Sequence, residues 1–310
     1  MLPLGGTKEN VYLYLGTLTQ NIMVFQKYCS NAAMFDVTHL PNETYTKFIM
    51  AMLLCHSVEV TNKDKLVASS PEEKATLEVL KESGYEFLGA ELDGTIRVCV
   101  KGRRVTYKRI AELPFDSYRK CMTVIIKETT NDSADIVHTK PSKANTDDSH
   151  EVIHMFIKGA DGVILPACLS TTSETKILVV KTQGIVNEYA SKGLRTLVYG
   201  YKQLSPDELE SFTIKLDQAR QSMVNRVKFV RDAYSTLETN GLHLLGATGI
   251  EDKLQEDVAE TINSLGKAGI TTWMVTGDKK ETAVNLGYAS GKYQLFSKYQ
   301  SRWGTLFEKY

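Results

Sequence analysis

The chain has 310 residues, and its 37 lysines and arginines are matched by 37 aspartates and glutamates, so the formal net charge is zero. That balance argues against a nucleic-acid or polyanion binder, which would carry a basic excess. The composition, 42% hydrophobic, 24% charged and 9% aromatic, is that of a globular protein with room for about two domains.

Apolar runs such as Phe48–Cys55 fall short of the roughly 20 residues a membrane-spanning helix needs. Met1–Thr7 shows no basic segment leading into a long apolar one. The expectation is a soluble, cytoplasmic chain that crosses no membrane. Five cysteines, Cys29, Cys55, Cys99, Cys121 and Cys168, are odd in number and lack a CxxC pair. They read as reduced thiols, mostly buried as small apolar residues, with no disulfide frame or zinc site. The six histidines are scattered, so no metal cluster is expected.

In chain order, β-branched and aromatic runs at Val11–Leu15, Ile96–Val100, Met122–Ile126, Val152–Ile157 and Thr196–Tyr201 predict strands. Pro71–Ser83 predicts a helix, with Ser70 as N-cap, Pro71 at its first position, Glu72 and Glu73 in its first turn, and Gly84 as its stop. Lys127–Glu151 is poor in apolar residues and reads as a flexible surface insertion between two strands. Ser205-Pro206-Asp207-Glu208 opens a helix that runs, with breaks, to about Leu237, and Gly241 ends the segment. Leu242–Ala247 has the pattern of a buried strand. Asp252–Gly269 predicts an amphipathic helix carrying Val258, Ile262 and Leu265, and Ile270–Val275 a second buried strand. With a further helix at Lys280–Leu286, this makes a βαβα unit of a parallel sheet. Ligands to such sheets lie at the carboxyl ends of the strands, where Thr276, Gly277 and Asp278 stand.

Five places carry candidate chemistry, and each has a plainer alternative. Thr276-Gly277-Asp278 offers a hydroxyl, an approachable amide and a carboxylate to a metal-bound phosphate, or it is a strand-to-helix turn capped by Asp278. Gly16-Thr17-Leu18-Thr19-Gln20-Asn21 is a strand-to-loop junction or an ordinary Thr-rich turn. Lys158, after the apolar Ile153–Ile157 and before Gly159, faces a nucleotide from inside a pocket or sits exposed in a hairpin turn. Phe115, in a loop leading into a strand with Arg119 and Lys120 beside it, stacks on a base with cations near phosphate, or it is core. Arg195 forks onto phosphate or makes a structural ion pair.

The order of these segments is more specific than any one of them. Gly-Thr-Leu-Thr-x-Asn, Ala68–Glu73 (ASSPEE), Leu113–Met122 (LPFDSYRKCM), Lys-Gly-Ala-Asp at 158–161, Gly-Leu-Arg-Thr-Leu at 193–197, Ile250–Gln255 (IEDKLQ) and Trp273–Ser290 together resemble the large cytoplasmic loop of P-type ATPases, in the phospholipid-transporting (flippase, type IV) branch. The resemblance runs over roughly residues 15–290. It implies a nucleotide-binding (N) domain, a twisted antiparallel sheet with helices, inserted into a HAD-like parallel α/β phosphorylation (P) domain. Residues 1–35 would be the first P-domain strand and exit, 36–240 the N domain, and 241–290 the returning, incomplete P domain. Residues 291–310 would be a divergent aromatic tail.

Carried over from the resemblance, Glu73 is the adenine-side acid, Phe115 the adenine-stacking aromatic, Lys158 the pocket lysine and Arg195 the phosphate-holding arginine. Thr276, Gly277 and Asp278 meet the γ-phosphate. ATP with Mg²⁺ would be the ligand. Phospholipid would be a partner only through a membrane domain, with an accessory membrane subunit possible in the full transporter. The chain also departs from the pattern. The family's phosphorylated aspartate, in DKTGT, falls at Leu13, with Tyr14 and Leu15 at the lysine and threonine positions. No GDGxND metal motif follows, and Cys121 stands where the branch often has arginine. A leucine has no lone pair with which to attack phosphorus. The expectation is therefore an ATP-binding portion of a flippase that does not itself undergo phosphorylation, read as a fragment. A truncated non-catalytic nucleotide-binding module or regulator is the alternative. A HAD-type phosphatase is disfavoured by Leu13.

Overall fold

A computed structural model describes residues 10–14, 18–37, 47–61, 65–128, 152–168, 172–239, 241–275 and 287. The chain divides into two units. One comprises Met1–Val24, Asn187–Arg195 and Glu251–Tyr310, the other Phe25–Val186 and Thr196–Ile250.

The elements run β1 (Asn10–Tyr14), β2 (Thr19–Ser30), β3 (Ala33–Asp36), α1 (Lys47–Leu54), β4 (Glu59–Val60), β5 (Leu66–Val67), α2 (Pro71–Glu82), β6 (Tyr85–Ala90), β7 (Thr95–Val100), β8 (Arg103–Asp116), β9 (Cys121–Glu128) and β10 (Ile153–Gly159). They continue with α3 (Asp161–Ala167), α4 (Ser173–Ser191), β11 (Arg195–Leu204), α5 (Pro206–Gln221), α6 (Arg226–Glu238), β12 (His243–Leu254), α7 (Val258–Lys267) and β13 (Thr271–Val275). The five strands expected before residue 205 all form, each within two residues at its start and three at its end. Lys127 and Glu128, expected in the insertion, still pair in β9. The remaining residues of that insertion, 129–151, lie outside the described residues.

In the first unit, β1 and β13 pair in parallel, Asn10 opposite Thr271 and Tyr14 opposite Val275. The helix expected over Asp252–Gly269 is shorter. Asp252–Leu254 still belong to β12, and the Gln255 amide donates to the Leu18 carbonyl, which keeps the chain extended. Asp257 then turns in the left-handed region, φ 61°, and α7 starts at Val258. Ile262 is its buried residue, and Gly269, φ +79°, follows its end. Thr276–Asp278 and the helix expected at Lys280–Leu286 lie outside the described residues.

The second unit is built on a nine-stranded sheet in the order β3-β2-β12-β11-β10-β9-β8-β7-β6. From β6 to β11 every adjacent pair is antiparallel. Helices cover both faces. On one, α1 is buried along Phe48–Leu54 and α2 buries Ala75, Leu77 and Leu80. A helix apolar all round is stable only inside a core. On the other face, Ile125, Met155, Ile157 and Val198 of the sheet meet Ile164 of α3, Val186 of α4, Phe212 and Leu216 of α5 and Leu237 of α6.

Local chemistry sets the helix ends. The Glu73 amide donates to the Ser70 hydroxyl at 3.4 Å, and Gly84, just beyond α2, has φ +86°. Ser205 and Glu208 form a reciprocal capping box on α5. The expected long helix to Leu237 is two helices, because Asn225, φ +56°, reverses the chain between α5 and α6. Gly246 in β12 leaves no room for a side chain, since a Cβ there would lie 2.0 Å from the Cys29 carbonyl oxygen. All five thiols are free, and Cys99 alone is not fully buried.

Candidate nucleotide-binding site

Lys158 lies within β10, next to its end, and is 7% exposed, so the exposed-turn alternative is excluded. Its Nζ donates to Oε1 of Glu73 at 2.6 Å. The other carboxylate oxygen, Oε2, accepts from the Ser57 amide and the Ser57 hydroxyl, both at 3.0 Å. Burial pushes the Glu73 carboxyl upward. The Lys158 charge, its hydrogen bond and the Ser57 amide outweigh that and hold the group below the ordinary carboxylate range. Glu73 sits in the first turn of α2, where the helix N-terminus also favours a negative charge.

Gly159, the residue after Lys158, is required by the neighbouring strand. A Cβ there would lie 2.4 Å from the Lys120 carbonyl oxygen and 2.8 Å from Cys121 Cα. The Ala160 amide donates to that same Lys120 carbonyl at 3.0 Å. Close strand approach thus fixes the end of β10, and with it the lysine.

His56 stands beside this pair. Its Nε2 lies 2.9 Å from the Leu53 carbonyl, and its Nδ1 accepts from the Val58 amide at 3.1 Å. The ring is therefore neutral with its proton on Nε2. Burial and the Lys158 charge lower its pKa to about 4.

Phe115 is in β8, one residue from its end, and not in a loop as expected. The strand reaches further because β8 and β9 pair up to Asp116↔Cys121, across an irregularity between Leu113 and Asp116. The ring is 64% exposed, so it is not core. Register gives its place. Cys121 pairs with Asp116 and with Gly159, while Met122 pairs with Lys158. Leu113 pairs with Thr123 and Asp116 with Cys121, so the irregularity sets two residues, Pro114 and Phe115, against Met122, the residue paired with Lys158.

The cations flanking Phe115 divide. Arg119 is buried, its Nη1 2.6 Å from Glu238 Oε1 on α6, so it does not face a phosphate as expected. Lys120, in the left-handed region at φ 55°, stays exposed. Cys121 is buried on the Asp116 face, and burial, with Glu238 nearby, pushes its thiol to about 12. Arg195 opens β11 and pairs with buried Asp252 of the same unit, Nη2 to Oδ2 2.9 Å. The Arg195 side chain is 30% exposed as well as paired. Leu13 is half-buried in β1, with Met274 as its parallel partner. The structure thus joins Glu73 to Lys158 and Arg195 to Asp252. Thr276, Gly277 and Asp278 lie outside the described residues.

Three residues that partner or neighbour the candidates were not assigned from sequence. Ser57 and His56 follow the apolar run that became α1, with nothing in their spacing to mark them. Asp252 lies inside the quoted IEDKLQ segment, so the signal was present without a role attached.

A family model described as P-type ATPase, cytoplasmic domain N, matches residues 44–257. The chain is similar to phospholipid-transporting ATPase IK of Mus musculus, 32% identical over 311 residues, covering 88% of this chain and 21% of that protein. It is likewise similar to phospholipid-transporting ATPase 11C of Mus musculus, 32% identical, with 90% and 25% covered. A third relative is the probable phospholipid-transporting ATPase 12 of Arabidopsis thaliana, 34% identical over 265 residues, with 82% and 20% covered. The chain therefore spans a fifth to a quarter of the length of these curated relatives.

Proposed function

Because the chain belongs to the P-type ATPases, through their cytoplasmic N domain, we propose that it binds MgATP as the ATP-binding portion of a phospholipid-transporting ATPase. The observation that carries this reading is the buried Lys158–Glu73 pair, with exposed Phe115 set in register against Met122, the strand partner of Lys158. Phe115 offers a stacking surface, and the pair offers a donor and an acceptor at a base edge.

Residues 36–240 then form the body of the N domain, whose sheet also takes in β2 and β12, and β1 and β13 belong to a HAD-like P domain. The parallel pairing of β1 with β13 supports that part of the assignment. Arg195 would hold phosphate, and Thr276, Gly277 and Asp278 would meet the γ-phosphate. Among the described residues no three His, Cys, Asp or Glu side chains stand together to hold a metal. No helix among the described residues is long and apolar enough to cross a membrane. Phospholipid, and any accessory membrane subunit, would be met by the membrane part of the transporter, with this portion on the cytosolic side.

Titration of the full chain with MgATP is expected to give a Kd between about 1 µM and 1 mM. Phe115→Ala should weaken it about 5- to 150-fold, as base–aromatic stacking is worth roughly 1–3 kcal/mol. No saturable heat up to several millimolar MgATP would sink the reading.

A second reading, a nucleotide-binding module without phosphotransfer, is favoured by Leu13. Phosphorylation needs an oxygen nucleophile at that position, and a leucine side chain is hydrocarbon. After incubation with labelled MgATP, the chain is expected to carry no acid-stable, hydroxylamine-labile phosphate. Recovery of such label would overturn this expectation.

A further inference from the structure

We propose that α6 is the positioning element for Phe115 and acts through Arg231 and Glu238, neither of which touches nucleotide. The inference rests on the assignment of Phe115 as the nucleotide's stacking partner.

Both chain neighbours of Phe115 are held from α6. On one side, Arg231 grips the Asp116 carboxylate as a fork, Nε to Oδ2 at 2.8 Å and Nη2 to Oδ1 at 3.2 Å. That carboxylate also accepts the amides of Tyr118 at 2.7 Å and Arg119 at 3.3 Å, which shapes the turn after β8. On the other side, the Pro114 carbonyl accepts from Arg119 Nη2 at 2.6 Å. Arg119 is in turn held by Glu238, whose Oε1 also accepts from the Thr123 hydroxyl at 2.6 Å.

Ring contacts repeat the same connection. The Arg119 guanidinium lies 4.7 Å from the Tyr234 ring centre, and the Arg231 guanidinium 4.8 Å from that of Tyr118. Arg231, Tyr234 and Glu238 lie at spacings of three and four, on one stripe of α6. That stripe faces the segment from Pro114 to Thr123.

The contrast with Phe115 itself is informative. Phe115 is 64% exposed, while Arg119 and Glu238 are 8% and 6% exposed. An exposed aromatic contributes affinity in proportion to how far its backbone is already ordered before the ligand arrives. A bidentate guanidinium–carboxylate fork fixes direction as well as distance. Asp116 follows Phe115 directly in the chain, so a clamp on its carboxylate restricts the backbone that carries the ring.

The test is a double-mutant cycle on the full chain, titrated with MgATP. Arg231→Ala in the native background is expected to weaken binding roughly 3- to 10-fold, the size of one ordered side chain's contribution. In the Phe115→Ala background the same substitution is expected to change the Kd by less than about 1.5-fold, since the ring it positions is gone. Arg231→Lys, which keeps the charge but not the fork, should recover only part of the loss. Circular-dichroism melts confirm that each variant is folded. If Arg231→Ala does not fold, Asp116→Asn breaks the same fork while keeping an acceptor for the turn. An unchanged Kd for Arg231→Ala, or equal losses in both backgrounds, overturns the positioning role and leaves the nucleotide site standing. Native affinity in Phe115→Ala, or no MgATP binding by the chain, overturns the site and this role with it.

Discussion

Replacing Lys158 with methionine is expected to cost about 3–5 kcal/mol of folding stability, because it strands the Glu73 carboxylate in the sheet's core. The charge–charge contact is 2.6 Å long, and both side chains are at most 8% exposed. Urea denaturation at pH 7 measures the loss as a lower midpoint with an unchanged slope. The companion variant, Lys158→Met with Glu73→Leu, should recover most of it, since a buried ion pair exchanged for apolar groups of similar size is often neutral. The double variant should nonetheless bind MgATP more weakly than the native chain, because it lacks the donor and the acceptor together. A loss below 1 kcal/mol for Lys158→Met would show that water reaches the pair.

The second large effect is a loss of stability in acid that traces to His56. In the folded chain its Nδ1 is occupied by the Val58 amide and its Nε2–H by the Leu53 carbonyl. An added proton would point at an N–H donor. Its folded pKa of about 4 lies below the ordinary value of 6.5. Between those values the unfolded chain binds the proton and the folded chain does not. Stability therefore falls as pH drops from about 6.5 to about 4, by about 3 kcal/mol in all. Glu73, held below the carboxylate range, loses its own contribution at lower pH still. Glu238, which burial raises despite Arg119 and Thr123, acts in the opposite sense. The His56 contribution is thus read as the difference between the native chain and His56→Asn, whose curve should be flatter across that window. Parallel curves would mean that the ring takes up its proton without unfolding.

Several elements were legible because short-range chemistry decided them. Ser70-Pro71-Glu72-Glu73 announces α2 and Ser205-Pro206-Asp207-Glu208 announces α5, since caps act within four residues. The apolar strands β9 and β10 were plain, because runs buried on both faces carry no alternation to misread. α1 was seen only as an apolar run, because a helix buried all round has no polar stripe to mark its period. Asp252 was placed in a helix, and only the long-range partner Arg195 and the Leu18 contact at Gln255 explain why the strand continues.

The candidate site shows the same division. The ordered motifs pointed to Glu73 and Lys158, and register brings them together. Arg119 looked like a free cation from its neighbours in sequence. Its partner Glu238 is more than a hundred residues away, so no local pattern could reveal that it turns inward. Phe115 read first as core and only second as a contact, and its exposure at the end of β8 reverses that order.

The pairing of β1 with β13 has a consequence for how the chain folds. These strands lie near opposite ends of the sequence, Asn10 opposite Thr271. Joined directly, they would close one very long loop before any nearer contact repaid the lost entropy. The nine-stranded sheet removes that obstacle. β2 and β12, which lead into and out of the second unit, are neighbours within it. Once the sheet has formed, the distance left to search is set by the short segments from β1 to β2 and from β12 to β13. The topology predicts an order of assembly in which the sheet forms from contacts of its own and the parallel pair closes after it.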